Sequence, residues 1–118
     1  MNGATAGEVF VVVKATSASP SGARGLWRFG TTSYYPYTDG SVYDYFGSTT
    51  QYNMGHPASG VTQFSLYNVS AQAGQWTGRI DGVTLASSST NTVSFNSSPV
   101  LGSNGSNSFD GQREVSAR

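Results

Sequence analysis

Six of the seven tyrosines stand between residues 33 and 52, at positions 34, 35, 37, 43, 45 and 52. A phenol ring is apolar over its faces and polar at its tip, so it can stack on a sugar ring while hydrogen-bonding the sugar's hydroxyls. Tyr35, Tyr37, Tyr43 and Tyr45 are therefore candidate ligand-binding residues. A structural role competes with this one, since alternate tyrosines also fill cross-strand positions of a hairpin.

A second set of residues could hold a metal. Asp39 and Asp44 flank one turn, and His56, the single histidine, lies in a loop beside Pro57. Carboxylates with backbone carbonyls suit a hard cation such as calcium. Imidazole with carboxylate suits zinc or manganese. Asp39, Asp44 and His56 are accordingly a candidate metal set, and His56 is the candidate catalytic group if such a metal activates water. The plainer readings are a turn-forming Asp and a solvated loop histidine. Asp81 and Asp110 each precede a glycine and read as turn residues.

Other chemistry is missing from the chain. There is no cysteine, which excludes a disulfide framework, a thiolate metal site and a cysteine nucleophile. No Gly-x-Ser-x-Gly elbow, phosphate-cradling loop with lysine or His-Glu-x-x-His occurs. Net charge is zero, with six basic and six acidic residues spread along the sequence. No basic run supplies the phosphate contacts that dominate nucleic-acid affinity, so nucleic acid is not an expected partner. The longest apolar run, Val9 to Val13, is far short of a membrane span, so no membrane partner is expected either. Asn68-Val69-Ser70, Asn96-Ser97-Ser98 and Asn104-Gly105-Ser106 match the glycosylation acceptor pattern, which chance explains in so serine-rich a chain.

The elements that must position these residues are strands. Charged residues make up 10% of the 118 and glycine numbers 15, while Val, Thr, Tyr and Phe dominate, as in pleated, half-buried segments. No window sustains a helical period without Gly or Pro. Glu8–Ala15 (EVFVVVKA) is apolar on both faces and reads as a central strand covered on both sides. Leu26–Gly30 reads as a short strand, and Thr38-Asp39-Gly40-Ser41 as a tight turn inside the tyrosine segment. Val61–Val69 and Gln75–Ile80 read as strands, the latter turning at Asp81-Gly82 into Val83–Ala86. Short strands are expected near Thr92–Phe95 and Pro99–Gly102, and fraying over 111–118. Strands about ten residues apart predict one all-β domain over 1–118, a sandwich or barrel. Met1 is followed by Asn-Gly-Ala-Thr-Ala-Gly and then a strand, so no signal peptide is read here.

Three stretches carry a family likeness: GEVFVVVKATSASPSGARGLWRFG, LYNVSAQAGQWTGRIDGVTLASSST and VLGSNGSNSFDG. In this order they resemble the early strands, the Gly-x-Trp turn with its Asp-Gly hairpin, and the late Phe-Asp-Gly turn of laminin-G-like and concanavalin-A-like lectin/glucanase domains. The likeness runs from about Gly7 to Gly111. It implies an antiparallel β-sandwich of jelly-roll type. Against the family pattern the chain starts one element late and lacks a closing apolar strand, which implies a sandwich truncated at both ends and incomplete at its edges. Open edges recruit another chain, so a homo-oligomer through exposed strand edges is expected. The glucanases of this family use Glu-x-Asp-x-x-Glu on one strand, and glutamate only at 8 and 114 excludes it.

The resemblance thus implies a non-catalytic carbohydrate- or protein-binding module, with a glycan or protein ligand and a calcium ion near a loop edge, of a kind common in extracellular and phage-structural proteins. The alternative is a small metal-dependent hydrolase of esters or phosphoesters, using zinc or manganese on the truncated sandwich or at a subunit interface.

Overall fold

The computed structural model describes residues 4–58, 60–103 and 108–117, with side chains described as far as Gln112. Among these residues ten strands follow one another: β1 (Ala6–Ala15), β2 (Trp27–Arg28), β3 (Ser33–Tyr34), β4 (Val42–Asp44), β5 (Tyr52–Gly55), β6 (Ser65–Gln72), β7 (Gln75–Ile80), β8 (Val83–Ser88), β9 (Val100–Leu101) and β10 (Gly111–Ala117). Among the described residues there is no helix, and hence none long and apolar enough to cross a membrane. The all-β expectation holds, and the architecture is an antiparallel β-sandwich.

One layer is a five-stranded sheet in the order β10-β1-β6-β7-β8. The other is built from a three-stranded sheet, β3-β4-β5, and the β2-β9 pair. Every pairing is antiparallel. The core lies between the layers. Val9, Val11, Val13, Tyr67, Val69, Trp76 and Ile80 face inward from the large sheet, and Leu26, Trp27, Tyr35, Val42, Phe46 and Met54 meet them from the other side. Period-2 alternation produces this directly, because successive strand side chains point to opposite faces.

The turns form where their chemistry demands. Asp81 and Gly82 both take positive φ, 52° and 81°, as a two-residue hairpin turn requires. The Asp81 carboxylate also accepts the Leu66 amide at 2.8 Å. Gly40 has φ +88°, and its N–H donates to the Tyr37 carbonyl, closing the Tyr37–Ser41 turn.

Several expectations need correction. β1 is central, flanked by β10 and β6, but only one of its faces is buried. Val12 is 45% exposed and Leu66, its partner on β6, 42%. No second layer covers that side among the described residues. Residues 111–117 form a strand, β10, paired with β1 from Val9↔Ala117 to Ala15↔Gly111. Main-chain hydrogen bonding along seven residues holds this strand, which its apolar content alone did not predict. The first strand itself is thus the neighbour of the terminal region. Around residues 92–95 the structure has a single bridge, Ser48↔Val93, rather than a strand. β2 is two residues long, and Leu26 and Trp27 are both fully buried, so strict alternation does not extend across Leu26–Gly30.

Candidate functional site

The three-stranded sheet sorts the tyrosines. Ser33 pairs with Asp44 and Tyr34 with Tyr43 across β3 and β4. Val42, Asp44 and Phe46 are buried, while the intervening Tyr43 and Tyr45 stay half-buried. Tyr34, opposite Tyr43, shares the outer face, and Tyr37 joins it from the turn. These rings pack in a triangle. Their centroids lie 5.2 Å apart for Tyr34–Tyr37, 5.6 Å for Tyr37–Tyr43 and 6.3 Å for Tyr34–Tyr43. Edge-on contacts of this kind satisfy the ring quadrupoles and hold the cluster in shape without burying it.

Beside the triangle lies an open cavity of about 510 Å³, lined by Thr31, Thr32, Tyr34, Tyr37, Tyr43, Tyr45 and Gln51. Three of the four sequence candidates, Tyr37, Tyr43 and Tyr45, are therefore brought together. Tyr35 is not. It is fully buried, its ring 5.4 Å from that of Tyr67, and burial raises its phenol well above the usual range. Among the described residues its hydroxyl has no hydrogen-bond partner, and neither has that of Ser65. Tyr34 takes the place expected for Tyr35. Its signal was the pairing partner: the residue opposite Tyr43 must share Tyr43's face.

The remaining polar residues that line the cavity, Thr31, Thr32 and Gln51, were not anticipated. Gly30 sits behind them. A Cβ there would run into the Tyr45 carbonyl, so glycine is required for the chain to pass so close beneath the shelf. The Tyr45 amide in turn donates to the Thr32 carbonyl, tying one wall of the cavity to the other.

Of the candidate metal set, the structure brings two residues together and separates the third. His56 Nε2 lies 2.7 Å from the Asp39 carbonyl and 3.4 Å from Ser41 Oγ. The bond to the carbonyl requires Nε2 to carry the proton. The Asp39 carboxylate accepts the Ser41 amide at 2.9 Å, and chiefly this bond holds its carboxyl below the usual range. Both groups thus brace the Tyr37–Ser41 turn.

Asp44 points the other way, into the core. Its carboxylate accepts the Tyr67 hydroxyl at 2.7 Å, the Trp27 indole N–H at 2.9 Å and the Phe46 amide at 2.8 Å. The Trp27 and Tyr67 rings stack 5.4 Å apart at 9°. Burial pushes the Asp44 carboxyl up to about 7, against the opposing pull of these donors. Asp44 therefore links β4 to β2 and β6 across the sandwich rather than facing His56. No group of three or more His, Cys, Asp or Glu suited to a metal occurs among the described residues. Asn68 is buried too, its amide donating to the Val9 carbonyl, so its acceptor pattern is not presented to solvent.

No family model matches the chain, and no curated protein matches it. Among solved structures, it is similar to a mutant of Trypanosoma rangeli sialidase displaying trans-sialidase activity. That match has a TM-score of 0.55 at 15% identity and takes in 95% of this chain but 20% of that one. At such identity the likeness is one of fold, to a piece about one-fifth of the larger protein.

Proposed function

We propose that this chain is a carbohydrate-binding module of the laminin-G or concanavalin-A-like kind, holding its glycan against the tyrosine shelf. The observation that carries the reading is the clustering of Tyr34, Tyr37, Tyr43 and Tyr45 around one open cavity with Thr31, Thr32 and Gln51. Ring faces stack on the apolar side of a sugar, while hydroxyls and a carboxamide bond its rim. A cavity of this size suits one or two sugar units. Similarity to a fifth of a sialidase is compatible with a module that serves a larger carbohydrate-active protein, and glutamate only at 8 and 114 leaves no Glu-x-Asp-x-x-Glu strand.

The test is isothermal titration calorimetry against a panel of glycans, with Tyr37→Ala and Tyr43→Ala alongside. Binding weakened at least about tenfold by either substitution is expected. Binding unchanged in both variants would refute the reading. The hydrolase alternative retains the Asp39–His56 neighbours, so chromogenic ester and phosphoester assays belong beside the titration. Turnover abolished by His56→Ala would replace the binding-module reading with that one.

Self-association through a sheet edge is part of the proposal. β8 ends the large sheet, and Val83–Ser88 holds neither charge nor proline. Apart from a register shift opposite Gly78 and Arg79, it lacks the usual devices that discourage edge pairing. Light scattering over a wide concentration range tests it, with a monomer of constant size as the contrary result.

A further inference from the structure

The lining of the tyrosine cavity is uncharged. Among the described residues, four phenols, two threonine hydroxyls and one carboxamide surround it, with no Lys, Arg, His, Asp or Glu. Lys14 lies over the Phe64 ring and Arg79 donates to Asn68, while Arg24 and Arg28, nearer the tyrosine segment, have buried Nε atoms and do not line the cavity. An acidic sugar brings a carboxylate or sulfate that must shed water on binding. That loss is made good by a cation or a fork of charged donors, and the cavity offers neither. A neutral sugar needs only what is there, ring faces and groups that donate and accept.

Ring geometry narrows the ligand further. The planes of Tyr34, Tyr37 and Tyr43 meet at 56°, 74° and 81°. No two are near coplanar. A flat polysaccharide crystal face needs a row of coplanar rings, so that successive sugars stack at once. Three rings set at steep angles make a corner instead, presenting a face and edges to one sugar of a separate chain.

From these two observations we infer that the tyrosine corner selects uncharged sugars on single, soluble chains, and discriminates against acidic glycans and crystalline polysaccharide. The inference rests on the glycan-binding reading above and specifies its ligand class.

The experiment uses the full chain with three probe sets. These are neutral soluble oligosaccharides (gluco-, xylo-, manno- and galacto-oligosaccharides, and lactose), acidic counterparts (oligogalacturonate, hyaluronan oligosaccharides, sialyllactose), and insoluble microcrystalline cellulose and chitin. Calorimetry is run on the soluble probes and pull-down on the insoluble ones, for wild type, Tyr37→Ala, Tyr43→Ala and Gln51→Lys, with urea unfolding to confirm that each variant folds. At least one neutral probe is expected to bind about tenfold or more tighter than any acidic probe. Both tyrosine variants should weaken it, and Gln51→Lys should narrow the neutral-over-acidic preference. Tyrosine-dependent binding of acidic probes as tight as neutral ones would overturn the selectivity while leaving the glycan reading intact. So would tyrosine-dependent adsorption to cellulose or chitin. Failure of every probe to bind, or binding indifferent to both tyrosine substitutions, would remove the glycan reading and the inference together.

Discussion

Tyr35 and Tyr67 inside the sandwich, and Tyr34, Tyr37 and Tyr43 on its surface, are the same side chain put to opposite uses. Inside, each ring is enclosed. Tyr67 donates to Asp44 and stacks on Trp27, and Tyr35 packs against Tyr67. Outside, the rings touch one another edge-on and leave their remaining surface to the cavity. The difference teaches that aromatic density marks a region and not a site. Whether a tyrosine is structural or available depends on which face of its strand it occupies.

That contrast can be broken most severely from the inside. Asp44→Ala strands the Trp27 indole N–H, the Tyr67 hydroxyl and the Phe46 amide without their acceptor. Each unsatisfied buried group costs on the order of 1–3 kcal/mol, so a loss of about 3–5 kcal/mol is expected. Urea unfolding measures it. A loss below about 1 kcal/mol would mean that this network does not join the layers.

The same carboxyl sharpens the contrast through pH. Its folded value of about 7 lies above the ordinary 3.8. Between those values the folded chain keeps a proton that the unfolded chain releases, so stability falls as pH rises from 3.8 to about 7 and then levels off. The fall is on the order of a few kcal/mol. In Asp44→Asn the slope across that window should vanish, whatever the variant's absolute stability. Unfolding midpoints measured at intervals of pH show both, and an unchanged slope in the variant would assign the effect to another group.

On the surface the pattern should invert. Tyr37→Ala removes a ring that is 40% exposed, and is expected to cost only about 1 kcal/mol of stability. Its effect belongs in the glycan titration, where the loss should reach about tenfold or more. The smallest effect is expected at His56. His56→Ala removes the bond to the Asp39 carbonyl and should change stability by no more than about 0.5 kcal/mol. Glycan affinity should stay within about twofold. A large loss of binding there would move part of the site from the tyrosine shelf to the turn.

Much of the arrangement was written in local patterns. The Asp81-Gly82 turn follows from two residues that accept positive φ and the Asp39-Gly40 turn from Gly40, and β1, β6, β7 and β8 from apolar runs between turns, although the run read as Val61–Val69 pairs only from Ser65 onward. Even the fate of Asp44 had a signal: Val42, Asp44 and Phe46 fall on one face at period 2, between two apolar residues, while Tyr43 and Tyr45 fall on the other. A carboxylate at that parity belongs with the core. The choice between Tyr34 and Tyr35 had no such local mark, because two adjacent tyrosines satisfy either parity. It was decided by the pairing of Tyr34 with Tyr43. Tyr37 is outside strand parity altogether, since it begins a turn.

From its sequence alone this protein is an all-β chain with a tyrosine-rich segment, no Glu-x-Asp-x-x-Glu motif and no thiol chemistry. Composition, alternation and turn residues act within a few positions and need no distant partner. Tertiary structure decided the rest: that Asp44 serves the core and not His56, that residues 111–117 close onto β1, and that Tyr34 rather than Tyr35 faces the cavity. Each depends on register between strands distant in sequence. A shift of one residue exchanges the two faces of a strand, and only the packing of the layers against each other selects which face is buried.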